Sequence, residues 1–245
     1  MGQKMKYHLK SLALTATLSI ALCVLVAPLS EAIAQNPQMA QKVAEIKQAS
    51  TANKQALARY TWQEQQAISL KGEVKKTVSY QVSIAPDGQQ QKIELGSTAA
   101  PPPTGGRFKQ RIVARKTNEF QEYGQQVAAL AKQYTQPDPQ LLQQAYQQGN
   151  TSIQLGGAPG TITLVVKNYI KLGDSMTLVF SEGQKTIQTL QIATYLTDAK
   201  DVVTIGVQFA QLPAGINHVT TAQINGVSKQ MTVAIQNFNY QLSQM

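Results

Sequence analysis

The chain has one cysteine, Cys23, and two histidines, His8 and His218. Charged residues make up only 14% and aromatics 6% of its 245 residues. These scarcities exclude several chemistries. One cysteine cannot form an internal disulfide, and a Cys/His metal set has too few ligands. No Walker A loop and no G-x-S-x-G elbow is present, so the common phosphate-binding and serine-hydrolase signatures are missing. The glycine-rich stretch Gly156-Gly157-Ala158-Pro159-Gly160 lies between two strand patterns, so it has no helix amides to aim at a phosphate. His218 falls on the apolar face of a predicted hairpin, where a lone histidine reads as a packed side chain or a cavity wall, not a general base. Asp198 and Asp201 are too few for the oxygen shell that calcium prefers. The protein therefore reads as a non-enzyme with no cofactor.

The N-terminus carries an export pattern. Lys4, Lys6 and Lys10 precede an apolar run from Leu12 to Val26, then Pro28 and the triplet Ala32-Ile33-Ala34. A basic start, a short apolar core and an A-x-A site read as a secretory signal peptide over 1–34, cleaved after Ala34. The run of 15 residues is shorter than the ~18–20 that make a stable span. An uncleaved anchor is one alternative. A lipid on Cys23 is another, disfavoured by Leu22, since lipoprotein signals place a small residue there. The expected location is periplasmic or extracellular.

Removing Lys4, Lys6, Lys10 and Glu31 with the leader leaves 19 basic and 12 acidic residues, a net charge of +7 over 35–245. Without cysteine, that segment has to be held by its core alone. At 211 residues it is long enough to form a single α+β domain. Outside the cell, a basic surface meets lipid headgroups, anionic glycans or acidic proteins rather than nucleic acid. No further run is long and apolar enough to span a membrane.

Residues 37–59 follow a helical pattern through Met39, Val43, Ile46 and Leu57. From Tyr60 the period becomes two. Tyr60, Trp62, Ile68 and Leu70 share one parity, and so do Val74, Val78, Tyr80, Val82 and Ile84. Pro86-Asp87-Gly88 predicts a turn, followed by a strand over Gln91–Leu95. Residues 96–106 (GSTAAPPPTGG) read as an internal Pro/Gly loop. A long helix is expected from Arg107 to about Tyr134, with Phe108, Ile112, Val113, Phe120, Tyr123, Val127, Leu130 and Tyr134 as its apolar stripe. A short helix through Tyr146 follows, with Asp138 as its N-cap.

The last hundred residues are strand after strand, about six in all. Ile162, Leu164 and Val166 mark the first and Met176, Leu178 and Phe180 the next. Leu190 and Ile192 follow, and Val203, Ile205, Val207 and Phe209 make the strongest alternation. Asn225-Gly226 predicts a two-residue hairpin loop that sets Ile224 opposite Val227 and His218 opposite Val233.

Helix, three strands, two helices and a run of strands fit an α+β, mainly β fold. The expected form is a curved antiparallel sheet, an incomplete barrel, with helices packed on one face. A closed β-sandwich is the competing arrangement. The exported start, the helix leading into the Tyr60–Trp62 strand, the Pro86-Asp87-Gly88 hairpin and the inserted helices resemble the superfamily of LolA-like periplasmic lipoprotein carriers and sorting proteins. The chain also looks like a group of uncharacterised exported bacterial proteins. The resemblance implies an acyl-binding hollow and a lipid or lipoprotein partner, and it carries over no residue.

Two surfaces then stand as sites. One is an apolar hollow lined by Trp62, Val78, Tyr80, Val203, Ile205 and Phe209, taking a lipid or acyl-bearing ligand. The other is the start of the long helix. There Arg107, Lys109, Arg111, Arg115 and Lys116 place five positive charges in ten residues, a contact for an anionic envelope component. Positive charge at a helix start opposes the helix dipole, which argues for a purpose.

Overall fold

A computed structural model describes residue 48 and residues 51–99, 107–135 and 139–243. The expected leader, with its expected cleavage after Ala34, lies outside these residues, as does Asp138. Among the described residues no helix is long and apolar enough to cross a membrane.

Ten antiparallel strands form one sheet. They are β1 (Tyr60–Leu70), β2 (Glu73–Ile84), β3 (Gln90–Ala99), β4 (Thr151–Leu155), β5 (Thr161–Lys167), β6 (Ser175–Ser181), β7 (Thr186–Tyr195), β8 (Val202–Gln211), β9 (Asn217–Gly226) and β10 (Met231–Leu242). The order is β3-β2-β1-β10-β9-β8-β7-β6-β5-β4. Two meanders, β1–β3 and β4–β10, are thus joined where the first strand pairs with the last. The sheet is curved and open, with β3 and β4 as its edges.

Two helices, α1 (Arg107–Thr135) and α2 (Pro139–Gln147), connect those edges. The chain has to cross the whole sheet between them. Nine strand intervals of ~4.8 Å make about 43 Å, and the 29 residues of α1 reach about the same length at ~1.5 Å each.

The second half of α1 packs on the concave face. Tyr123, Val127, Leu130, Ala131 and Tyr134 are buried with Val166, Leu190, Ile192, Val203, Ile205, Val207, Ala222, Ile224, Val233 and Ile235. This is the predicted stripe meeting the predicted strand parities. The first half behaves differently. Ile112 is 50% exposed, and Phe120 is only half-buried. Two hydroxyls tie the packed half down: Tyr123 donates to Asp201 (2.9 Å) and Tyr134 to Asp174 (2.5 Å).

Asp174 closes the β5–β6 turn. Its buried carboxylate also accepts the backbone N–H groups of Tyr169, Ile170 and Lys171 at 2.6–2.9 Å. Burial, then Asp174, push the Tyr134 phenol far above its ordinary range.

Three expectations need correction. Residues 96–99 are not loop but the end of β3, where Ser97 and Thr98 pair with Val78 and Thr77. Seven strands, not about six, follow the helices, because Thr151–Leu155 adds an edge strand against β5. The third correction is the last hairpin. Its loop is Val227–Gln230, with Gln230 at φ 49°, and Gly226 pairs with Met231 and Ile224 with Val233. Asn225 lies inside the sheet, where its amide donates to Thr204 Oγ1 (3.2 Å) and accepts from Thr232 Oγ1 (3.0 Å). Gly226 is glycine for another reason. A Cβ there would come within 2.5 Å of the Tyr123 hydroxyl, so α1 could not approach the sheet. In this register Val233 faces Ile224, not His218, and on its other side β9 pairs His218 with Ala210 of β8.

Candidate functional site

The part of the concave face around Trp62 holds a separate, smaller cluster of Trp62, Val78, Tyr80 and Val82, with Ile84 and Tyr240 against it. Beside it opens a hollow of about 370 Å³. One wall is the helical segment 51–57, through Ala52, Ala56 and Leu57. The others come from Ile84, Phe180, Ile187, Phe209 and Val219. Lys54 and Lys185 also line it, and among the described residues no carboxylate does.

Irregularity in the sheet shapes this hollow. Register shifts fall between Thr61 and Gln63, Val179 and Phe180, and Gln208 and Phe209. Each sits beside one of the aromatic walls, Trp62, Phe180 or Phe209. A bulge bends the strand and re-aims its side chains, so three shifts together open the sheet where regular pairing would keep it flush.

Within the hollow, Trp62 stacks on Tyr240 (centroids 5.3 Å apart), and His218 meets the same ring edge-on at 4.3 Å. The Tyr240 hydroxyl and Asn237 Nδ2 both donate to the Val219 carbonyl, at 3.0 and 3.1 Å. Burial lowers the His218 pKa below its ordinary value, so the ring is neutral at pH 7. Four buried side-chain atoms have no hydrogen-bond partner among the described residues: Trp62 Nε1, Gln90 Oε1, His218 Nδ1 and Asn237 Oδ1. All four belong to residues of the hollow.

The predicted lining residues divide. Trp62 and Phe209 line the hollow. Val78 and Tyr80 pack in the cluster beside it. Val203 and Ile205 lie in the main core with α1. The helical segment, Phe180, Val219 and Tyr240 were not read as lining. Their convergence depends on strand order across the sheet, which no local period encodes.

A buried ion pair also escaped the sequence reading. Glu64 accepts from Lys92 Nζ and from Gln66 Nε2, both at 2.6 Å, with the Glu64 and Lys92 side chains 4% and 7% exposed. The signal was there: the parity that turns Trp62 and Ile68 inward also turns Glu64 and Gln66 inward. Of the basic cluster, Arg111, Arg115 and Lys116 are exposed on α1, and Arg115 lies 3.7 Å from Glu119. The side chains of Arg107 and Lys109 lie outside the described residues. Among the described residues, no group of three or more His, Cys, Asp or Glu is placed to hold a metal.

No protein-family model and no curated protein matches the sequence. Among solved structures, the chain is similar to a DUF1329 family protein from Desulfovibrio piger. That match has 8% identity, covers 82% of this chain and 92% of that one, and has a TM-score of 0.39. The chain is also similar to a LolA superfamily protein from Nitrosomonas europaea, at 9% identity, 80% and 94% coverage and a TM-score of 0.35. A likeness at these TM-scores carries no argument about role. It assigns no residue and no ligand.

Proposed function

We propose that the protein is an exported, non-enzymatic envelope protein that binds a lipid or acyl-bearing ligand in the hollow beside Trp62. On this reading 1–34 is a leader cleaved after Ala34, and 35–245 fold as one domain. The observation that supports it is the apolar-walled hollow of about 370 Å³. Its size is that of a small-molecule site, and aromatic side chains at three register shifts form its walls. The experiment is native mass spectrometry of the protein exported through its own leader, before and after delipidation. A removable adduct of lipid mass is expected. A bare chain, with no uptake of a fluorescent fatty acid, overturns the reading.

The exposed Arg111, Ile112, Arg115 and Lys116 on the free half of α1 favour a second role, contact with an anionic envelope component. Exchanging Arg107, Lys109, Arg111, Arg115 and Lys116 for Gln is expected to release the protein from envelope fractions without altering its thermal unfolding. Unchanged association removes this role.

A further inference from the structure

The four partnerless atoms bear on what the hollow takes. A buried polar atom without a partner costs stability, so such atoms are rare and call for an explanation. Here they belong to residues that line one hollow. Trp62 is 2% and His218 8% exposed, and solvent does not reach the four atoms. A purely aliphatic ligand leaves all of them as they are.

Their chemistry is mixed. Trp62 Nε1–H only donates, and Gln90 Oε1 and Asn237 Oδ1 only accept. Asn237 has its amide orientation fixed, because its Nδ2 already donates to Val219. The neutral His218 ring already uses its N–H on the backbone at Ile216 and Ala210, so its Nδ1 accepts. A matching group must therefore accept one hydrogen bond and donate at least one. A carboxylate accepts only, and it would face two carbonyl oxygens.

Size sets a second limit. A hollow of about 370 Å³ is near the small end of the ~300–1,000 Å³ range of ligand sites. A single short acyl chain suits it.

We infer that the hollow takes a single-chain amphiphile whose head is neutral and both donates and accepts hydrogen bonds, a carboxamide or a hydroxyl, set against Trp62, His218, Asn237 and Gln90. The inference rests on the acyl-site reading above and adds the head group. Because solvent does not reach the four atoms, the amides and rings have to turn toward the head on binding.

The test is a series of three ten-carbon probes that differ only in the head: decanamide, methyl decanoate and decanoate. The amide donates and accepts, the ester only accepts, and the carboxylate only accepts and is charged. Trp62 is the protein's only tryptophan, so its emission reports on the site without a label, and calorimetry gives the stoichiometry. Decanamide is expected to bind one to one, at least tenfold tighter than either other probe. Equal affinity for amide and ester overturns the head-group inference and leaves the acyl site standing. Tightest binding of decanoate also overturns it and assigns the head to Lys54 and Lys185. If none of the three binds, the acyl site itself falls.

Discussion

The concave face of this sheet is two surfaces of opposite character. Under α1 the inward positions from Val166 on β5 to Ile235 on β10 are packed and almost all apolar, the exception being Thr194, hydrogen-bonded to Tyr134. Around Trp62 the same face carries a hollow and four polar atoms without partners. Between them lies the Glu64–Lys92 pair. The strands are continuous from one part to the other, so backbone pairing does not separate them. Two things do. One helix covers only part of the width, because its first half stands away from the sheet. Three of the sheet's register shifts fall at the part that α1 does not cover. A sheet of this size with a partial helical cover keeps a site where its strands are irregular.

The largest effects test the closed part and the divider. Replacing Asp174 by Ala strips three backbone N–H groups and the Tyr134 hydroxyl of their acceptor. A loss of about 3–5 kcal/mol in urea unfolding is expected. A loss below about 1 kcal/mol would show that α1 is not anchored through this turn. Lys92→Met leaves Glu64 buried without its cation and is expected to cost about 3–5 kcal/mol. Adding Glu64→Gln should recover most of that. No recovery would mean that the stem of Lys92, not its charge, matters.

A matched pair sharpens the contrast between the two parts. Ile205→Ala empties the packed core and is expected to cost about 2–5 kcal/mol. Ile84→Ala enlarges a wall that already borders open space and is expected to cost less than about 1 kcal/mol. Equal losses would mean that the hollow is closed in solution.

The smallest effect is that of His218. Its folded pKa lies below the ordinary 6.5 because of burial. As pH falls below 6.5 the unfolded chain takes up a proton that the folded chain refuses, so stability declines from there downward and is unaffected above. Tyr240, whose own pKa burial raises, stays neutral in that window. In His218→Phe this part of the acid sensitivity should vanish. An identical pH profile in both proteins would count against a neutral, buried ring.

Much of this fold was readable from period and parity alone. Val203, Ile205 and Val207 turn inward as their alternation requires, and Tyr123, Val127, Leu130 and Tyr134 form the buried helix stripe. The failures have physical causes. Asn225-Gly226 resembles a tight turn because glycine is also what a sheet needs where a helix leans on it. Residues 96–99 resemble a loop because the prolines after them dominate the composition, yet Ser97 and Thr98 pair normally. The site was the least legible part. Trp62 and Phe209 were found because they end or begin strong alternations. Tyr240, Phe180 and the helical segment meet them only through long-range pairing and misregistered strands, which leave no mark in a local pattern.

The pairing of β1 with β10 also sets an order of events. Leu70 meets Met231, a partner 161 residues further along the chain. Until β10 is present, β1 has only β2 beside it. The seam of the sheet, and with it the contact of Trp62 with Tyr240, waits on that pairing. Contacts this distant slow folding. The hollow is incomplete until β1 and β10 have found each other.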